Sequence, residues 1–196
     1  MMPRVDDPRH KKYEQDITEL FCHYGYLVGN LTYHDHVKEE IKNALSLLDT
    51  PTTQSIRTRA DRFSIYPGEH CIKWEVKTAS RPTHDMLVEL YPFMHHVQEE
   101  KLGVECLYFW DSGDHRVGCT IQEMRKSMEV IFITNRTQEW EKILISKLFD
   151  DIYVQSIART FGSNDAFFKI PRDVAIGFRD YKELIENNLT EKLRKE

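Results

Sequence analysis

No apolar run in this chain approaches the ~20 residues that a membrane-spanning helix needs. The opening Met-Met-Pro-Arg-Val-Asp-Asp-Pro has no apolar signal core, so a cytoplasmic protein is expected. Cys22, Cys71, Cys106 and Cys119 are widely spaced, with no Cys-x-x-Cys pair, which excludes a zinc knuckle or a dithiol redox motif and leaves four buried or partly buried thiols as the expectation. A glycine-rich phosphate loop and a Gly-x-Ser-x-Gly elbow are both missing, which removes nucleotide-driven and serine-hydrolase chemistry. Positive charge is not in excess either. The net charge of −5 argues against a surface built throughout to hold polyanions, although a local basic patch can sit on an acidic protein. No repeat or low-complexity segment occurs, and 196 residues are ample for a buried core.

What is present begins with Tyr13, Ile17, Leu20, Phe21 and Tyr24, which recur at helical spacing before a stop at Gly25. Glu14 lies at the margin of that stripe. A second helix is expected from His34 to Leu48, with Val37, Ile41, Ala44, Leu45 and Leu48 inward. Two strands, Asp61 to Tyr66 and Cys71 to Thr78, flank Pro67-Gly68, whose residues suit a type II turn, so the pair reads as a β-hairpin. In an antiparallel pair opposite residues share a face. A three-residue connection pairs Tyr66 with His70 and sets Asp61 opposite Glu75; a four-residue connection sends Asp61 to the other face.

Pro82-Thr83 is expected to open a helix carrying Met86, Leu87, Leu90, Tyr91, Met94 and Val97, kinked or split at Pro92 and closed by Gly103. Val104 to Trp110 is almost wholly apolar, as in a strand buried on both faces. Hairpin, helix and buried strand form a crossover, so the sheet should be mixed. Arg116 to Ile121 and Glu129 to Thr134 are further strand candidates, and Trp140 to Ile157 and Tyr181 to Leu193 read as helices. The expected fold is therefore α/β, a mixed central β-sheet flanked by helices, with an α/β core over residues 1–135 and a helical extension over 136–196 packed on it.

Within the run Ile72-Lys73-Trp74-Glu75-Val76-Lys77, alternation puts Glu75 and Lys77 on one face and Ile72, Trp74 and Val76 on the other. An upstream Asp followed, after a hairpin, by Glu-x-Lys resembles the PD-(D/E)xK nuclease superfamily. The element order from Tyr13 to Asp111 is similar to that superfamily's restriction-endonuclease-like core and its Holliday-junction-resolvase-like members. Ala60 stands where the motif's name has Pro. The resemblance implies a Mg²⁺- or Mn²⁺-dependent endonuclease that cleaves DNA, with Asp61 and Glu75 as metal ligands and catalytic acids. It also implies Val76 as a backbone ligand and Lys77 as the cation that orients the attacking water.

Glu14 is a further candidate ligand, if its helix packs beside the hairpin. Arg57, Arg59 and Arg62, around Asp61, together with Lys73, are candidates for backbone phosphates. Arg81 and His84 either touch substrate or sit at a helix start. The alternative to an enzyme is a non-catalytic nucleic-acid-binding or assembly module on a nuclease-like fold. The ordinary reading of Lys73, Glu75 and Lys77 is a solvated strand face with surface pairs worth under ~1 kcal/mol. A third possibility is a His-centred metal hydrolase using His34-Asp35-His36 or His95-His96, whose spacing matches no zinc pattern and which otherwise read as surface or capping residues. Apolar surface on the C-terminal helices is compatible with a homodimer, and no membrane partner is expected.

Overall fold

The computed structural model describes residues 7–30, 62–66, 70–79, 81–127, 130–134, 153–157 and 167–193. The expected helix at His34–Leu48, the Pro67-Gly68 turn, and Arg57, Arg59 and Asp61 lie outside them.

Asp7 opens helix α1, Pro8–His23, by accepting from the Arg9 backbone N–H at 2.9 Å. Pro8 occupies the first turn, where its missing N–H has no intrahelical partner to lose. Tyr13, Ile17 and Phe21, four apart, are its fully buried stripe. At the other end Tyr26 N–H bonds the Phe21 carbonyl and Gly25 N–H the Cys22 carbonyl, the paired bonds of a Schellman stop. Gly25 adopts φ +85°, which that stop requires and a side chain would resist.

Strand β1, Leu27–Asn30, pairs antiparallel with β2, Arg62–Tyr66, which pairs antiparallel with β3, His70–Thr78. Tyr66 stands opposite His70 and Arg62 opposite Trp74, the register of a three-residue connection. The next segment differs from expectation. Met86–Glu89 is a strand, β4, and the helix α2 runs only from Leu90 to Glu100. Met86 and Val88 are buried while Leu87 is 44% exposed, a two-residue period that the neighbouring Leu90, Met94 and Val97 had disguised as a longer helical stripe. Pro92 thereby falls in the first turn of α2, where it breaks no hydrogen bond and need not kink the helix.

Strand β5, Glu105–Asp111, returns parallel to β3, completing the expected crossover, and β6, Arg116–Thr120, pairs antiparallel with β5. The strand stops at Thr120 because Thr120 and Glu123 form a capping box. The Thr120 N–H donates to Glu123 Oε2 at 2.8 Å and the Glu123 N–H to Thr120 Oγ1 at 3.2 Å, starting α3, Ile121–Ser127. Beyond it come β7, Val130–Thr134, β8, Tyr153–Ile157, and β9, Phe167–Ile170. A short α4, Arg172–Ala175, then precedes β10, Arg179–Asp180, and the expected helix α5, Tyr181–Leu193. The helix expected at Trp140–Ile157 is corrected at its end, since residues 153–157 pair in parallel with β7. The stretch 136–196 is thus not uniformly helical.

The main sheet is six-stranded and mixed, in the order β1-β2-β3-β5-β6-β10; a four-stranded sheet has the order β4-β9-β7-β8. Helices α1 and α5 cover one face of the main sheet with Tyr13, Ile17, Phe21, Leu184 and Ile185 against Trp74, Leu107 and Phe109. Phe21 stacks on Trp74 at 6.0 Å, and the Trp74 indole N–H donates to Ser64 Oγ at 2.8 Å. Each large side chain fully buried here is worth about 1.5–3 kcal/mol over exposure. A methyl group at Gly118 would meet Leu184 Cδ2 at 2.6 Å and Phe109 Cδ1 at 2.9 Å, so α5 approaches β6 this closely only because position 118 lacks a side chain. The opposite face carries a second core, in which Phe93, Met94 and Val97 pack with Tyr108, Trp110, Ile121, Met124 and Ile170. Cys106 and Cys119 are buried in it, whereas Cys22 and Cys71 are exposed, contrary to expectation.

Candidate functional site

Ile72, Trp74 and Val76 are buried against α1 and α5, so the strand residues between them project toward α2. Anchored in this way, Glu75 and Lys77 emerge side by side. Lys77 Nζ lies 2.6 Å from Glu75 Oε1 and 2.6 Å from Glu89 Oε2. Glu89 is the last residue of β4 and the N-cap of α2, held in extended backbone at φ −64° and ψ 133°. The side chains are 6% exposed for Glu75, 16% for Lys77 and 25% for Glu89, well below the exposure of an ordinary surface pair. Two carboxylates thus share one ammonium in a poorly solvated setting.

Lys73, one step back on the same face, pairs with Glu99 in the last turn of α2, and His95 Nε2 lies 3.4 Å from the same Glu99 Oε1. The two ends of α2 thus bracket the charged face of β3. Glu14 and Arg62 meet on the α1 side, where Arg62 Nε donates to Glu14 Oε1 at 2.7 Å. Among the described residues of the anticipated site, Glu75 and Lys77 are therefore brought together on one face and Glu14 and Arg62 on the other. Arg81 and His84 are exposed in a turn before β4 rather than at a helix start, with the His84 N–H bonded to the Arg81 carbonyl at 3.1 Å.

Sequence reasoning missed two groups and misplaced a third. Glu89 was hidden inside a supposed helix and carried no signal of its own. His10 was legible in principle, being four residues before Glu14 and hence on the same helix face. Its Nδ1 lies 3.0 Å from Thr78 Oγ1 at the end of β3. Burial lowers its pKa; Glu14 opposes this, Lys77 adds to it, and Glu75 and Asp7 again oppose it.

The third is His96, which is fully buried rather than a surface or capping residue. Its Nδ1 lies 2.7 Å from the hydroxyl of Tyr108, the β5 residue directly beside Glu75, and its Nε2 is buried with no hydrogen-bond partner among the described residues. Burial lowers its pKa to about 3, with the charges of His95, Lys73 and Lys77 in the same direction. The folded pKa is depressed for a base, so the unfolded chain binds the proton more readily. Stability should be complete above the ordinary imidazole range and fall as pH drops from 6.5 toward about 3, by at most about 1.4 kcal/mol per pH unit. Urea midpoints at pH 7.5, 6 and 5 should show this slope in the wild type and a flatter one in His96→Gln; equal slopes would assign the acid sensitivity elsewhere.

His34, Asp35 and His36 lie outside the described residues, among which no group of three or more His, Cys, Asp or Glu side chains is gathered to hold a metal ion. No helix among the described residues is long and apolar enough to cross a membrane.

The chain matches no protein-family model and no curated protein sequence. Among solved structures it is similar to Hjc, a Holliday junction resolvase from the archaeal hyperthermophile Archaeoglobus fulgidus. The identity is 10%, the match covers 91% of this chain and 96% of that one, and the TM-score is 0.46.

Proposed function

We propose that this chain is a divalent-metal-dependent nuclease that hydrolyses phosphodiester bonds in DNA. The observation that carries the reading is the Lys77 ammonium held at 2.6 Å by both Glu75 and Glu89 on one face of β3. The β2–β3 register, continued one residue past Arg62–Trp74, would set Asp61 against Glu75 and add a further carboxylate. An all-oxygen donor set fits Mg²⁺ or Mn²⁺ better than a softer metal. Asp61, Glu75 and the Val76 carbonyl would hold the ion; Glu14, paired with Arg62 on the α1 side, would join them only by leaving that pair. When bound, such an ion neutralises charge building on the phosphate and makes a coordinated water more acidic.

The chain's own groups do the rest. Lys77, fixed between two carboxylates, can donate to the attacking water and orient it toward phosphorus. Glu89 positions Lys77, since an ammonium tethered at both sides loses little freedom when the water arrives. Arg57, Arg59, Arg62 and Lys73 are assigned to backbone phosphates, with Arg62 and Lys73 exchanging a carboxylate partner for a phosphate. A homodimer would present two such sites to two strands; a gel-filtration mass of one chain argues against it.

Incubation of the purified chain with plasmid, linear duplex, single-stranded and four-way-junction DNA tests the reading. Cleavage is expected with Mg²⁺ and should vanish with EDTA. If every substrate is bound and none is cut, the chain is a nucleic-acid-binding module and Glu75 and Lys77 are structural.

A further inference from the structure

His10 sits one turn before Glu14, and the first turn of α1 is fastened to the end of β3 at two successive points. Arg9 Nη2 donates to the Ala79 carbonyl at 2.8 Å, and His10 Nδ1 meets Thr78 Oγ1 at 3.0 Å. Thr78 directly follows Lys77. The imidazole is therefore pinned by one nitrogen at the end of β3, on the α1 side of the strand and one residue beyond Lys77. It lies close enough to feel the charges of Glu14, Lys77 and Glu75, while Nε2 has no hydrogen-bond partner among the described residues.

The site needs such a group. Its carboxylates can hold a cation but repel a phosphate, and Lys77 is committed between two of them. Arg57, Arg59, Arg62 and Lys73 are assigned to the backbone phosphates, and α1 offers a further donor for the scissile one.

We propose that His10 is a catalytic residue of this site, with Nδ1 accepting from the Thr78 hydroxyl and Nε2–H donating to a non-bridging oxygen of the scissile phosphate. The assignment rests on the nuclease reading. Thr78 is a positioning residue: its hydroxyl holds the ring through Nδ1 at 3.0 Å, and where it donates there the proton is left on Nε2. No proton is transferred by His10; the hydrogen bond strengthens as charge grows on the phosphate oxygens in the transition state, so it acts on rate more than on binding. Burial lowers the His10 pKa and favours the neutral ring that this tautomer needs.

The test compares wild type, Lys77→Ala, His10→Ala, His10→Gln and Thr78→Val on the DNA that the wild type cuts fastest. Single-turnover rates are measured in Mg²⁺, binding by anisotropy in Ca²⁺, and melting temperature for each variant. His10→Ala should lower the rate about 10²-fold while leaving the dissociation constant within about threefold. His10→Gln, whose amide can present a donor near the Nε2 position, should recover to within about tenfold of wild type, and Thr78→Val should lose about tenfold. A wild-type rate in His10→Ala overturns the assignment alone, provided that the wild type cuts and Lys77→Ala does not. Equal losses in both His10 variants with a lowered melting temperature also overturn it, in favour of a structural role. A wild type that cuts nothing overturns the nuclease reading and this assignment with it.

Discussion

Lys77→Met should lower the unfolding free energy by about 2–3 kcal/mol, and Mg²⁺ should restore much of that loss without restoring cleavage. The ammonium is the group that holds Glu75 Oε1 and Glu89 Oε2 on either side of it at 2.6 Å each. Methionine keeps most of the apolar stem and removes the charge. Two carboxylates of low exposure then face each other across the gap. Breaking a fully buried pair costs about 3–5 kcal/mol, and the partial exposure of Lys77 and Glu89 discounts that to about 2–3 kcal/mol. A divalent ion that binds the folded chain alone stabilises it by RT ln(1 + [L]/Kd), about 2.7 kcal/mol at one hundred times Kd.

Urea unfolding of wild type and variant with Mg²⁺ and with EDTA makes the comparison. An unchanged midpoint in the variant would return the three residues to the solvated face of a strand. A lowered midpoint indifferent to Mg²⁺ would keep the cluster and remove the metal.

The parts of this arrangement that were legible in the sequence are those set by local period. The stripe Tyr13–Ile17–Phe21, the alternation through β3 and the apolar run of β5 each bury what their spacing says they bury. The hairpin itself was legible but its register was not: the sequence left a three- and a four-residue connection open, and the pairing of Tyr66 with His70 is that of the shorter one. Glu89 was not legible, because Met86 to Val97 satisfies the helical period while Met86–Val88 also satisfies the strand period. What decides between them is β9, a partner some eighty residues away in sequence that pairs with β4. The strand at Tyr153–Ile157 was missed for the same reason, its ladder being supplied by β7. Helix spacing alone left His96 as exposed as His95; its burial comes from Tyr108 on β5, which no local pattern joins to it. The charged face of β3 could thus be read from its own six residues, whereas the groups that hold it in place come from elements brought there by tertiary pairing.

Asp61→Asn and Glu75→Gln should each reduce single-turnover cleavage by at least about 10³-fold, and the double variant should be no slower than the worse single one. Carboxylates that hold one ion act as a unit, so losing the first already forfeits what the second contributes. Both substitutions keep side-chain shape and remove one charge. Glu75→Gln leaves Lys77 paired with Glu89, so its melting temperature should stay near that of wild type, which separates loss of chemistry from loss of fold.

The register gives the experiment its discriminating power. Arg62 opposite Trp74 is the last described step of the β2–β3 ladder, and one more step of regular pairing would bring position 61 to Glu75 on the face that also carries Lys77. A bulge at that step would turn Asp61 away, leaving Glu75 and Glu89 as the acid pair. In that event Asp61→Asn would cleave at close to the wild-type rate, Glu89→Gln would take its place among the inactive variants, and non-additivity would appear between positions 75 and 89 instead. If Glu75→Gln itself cleaves normally, neither geometry holds and the cluster binds no catalytic ion.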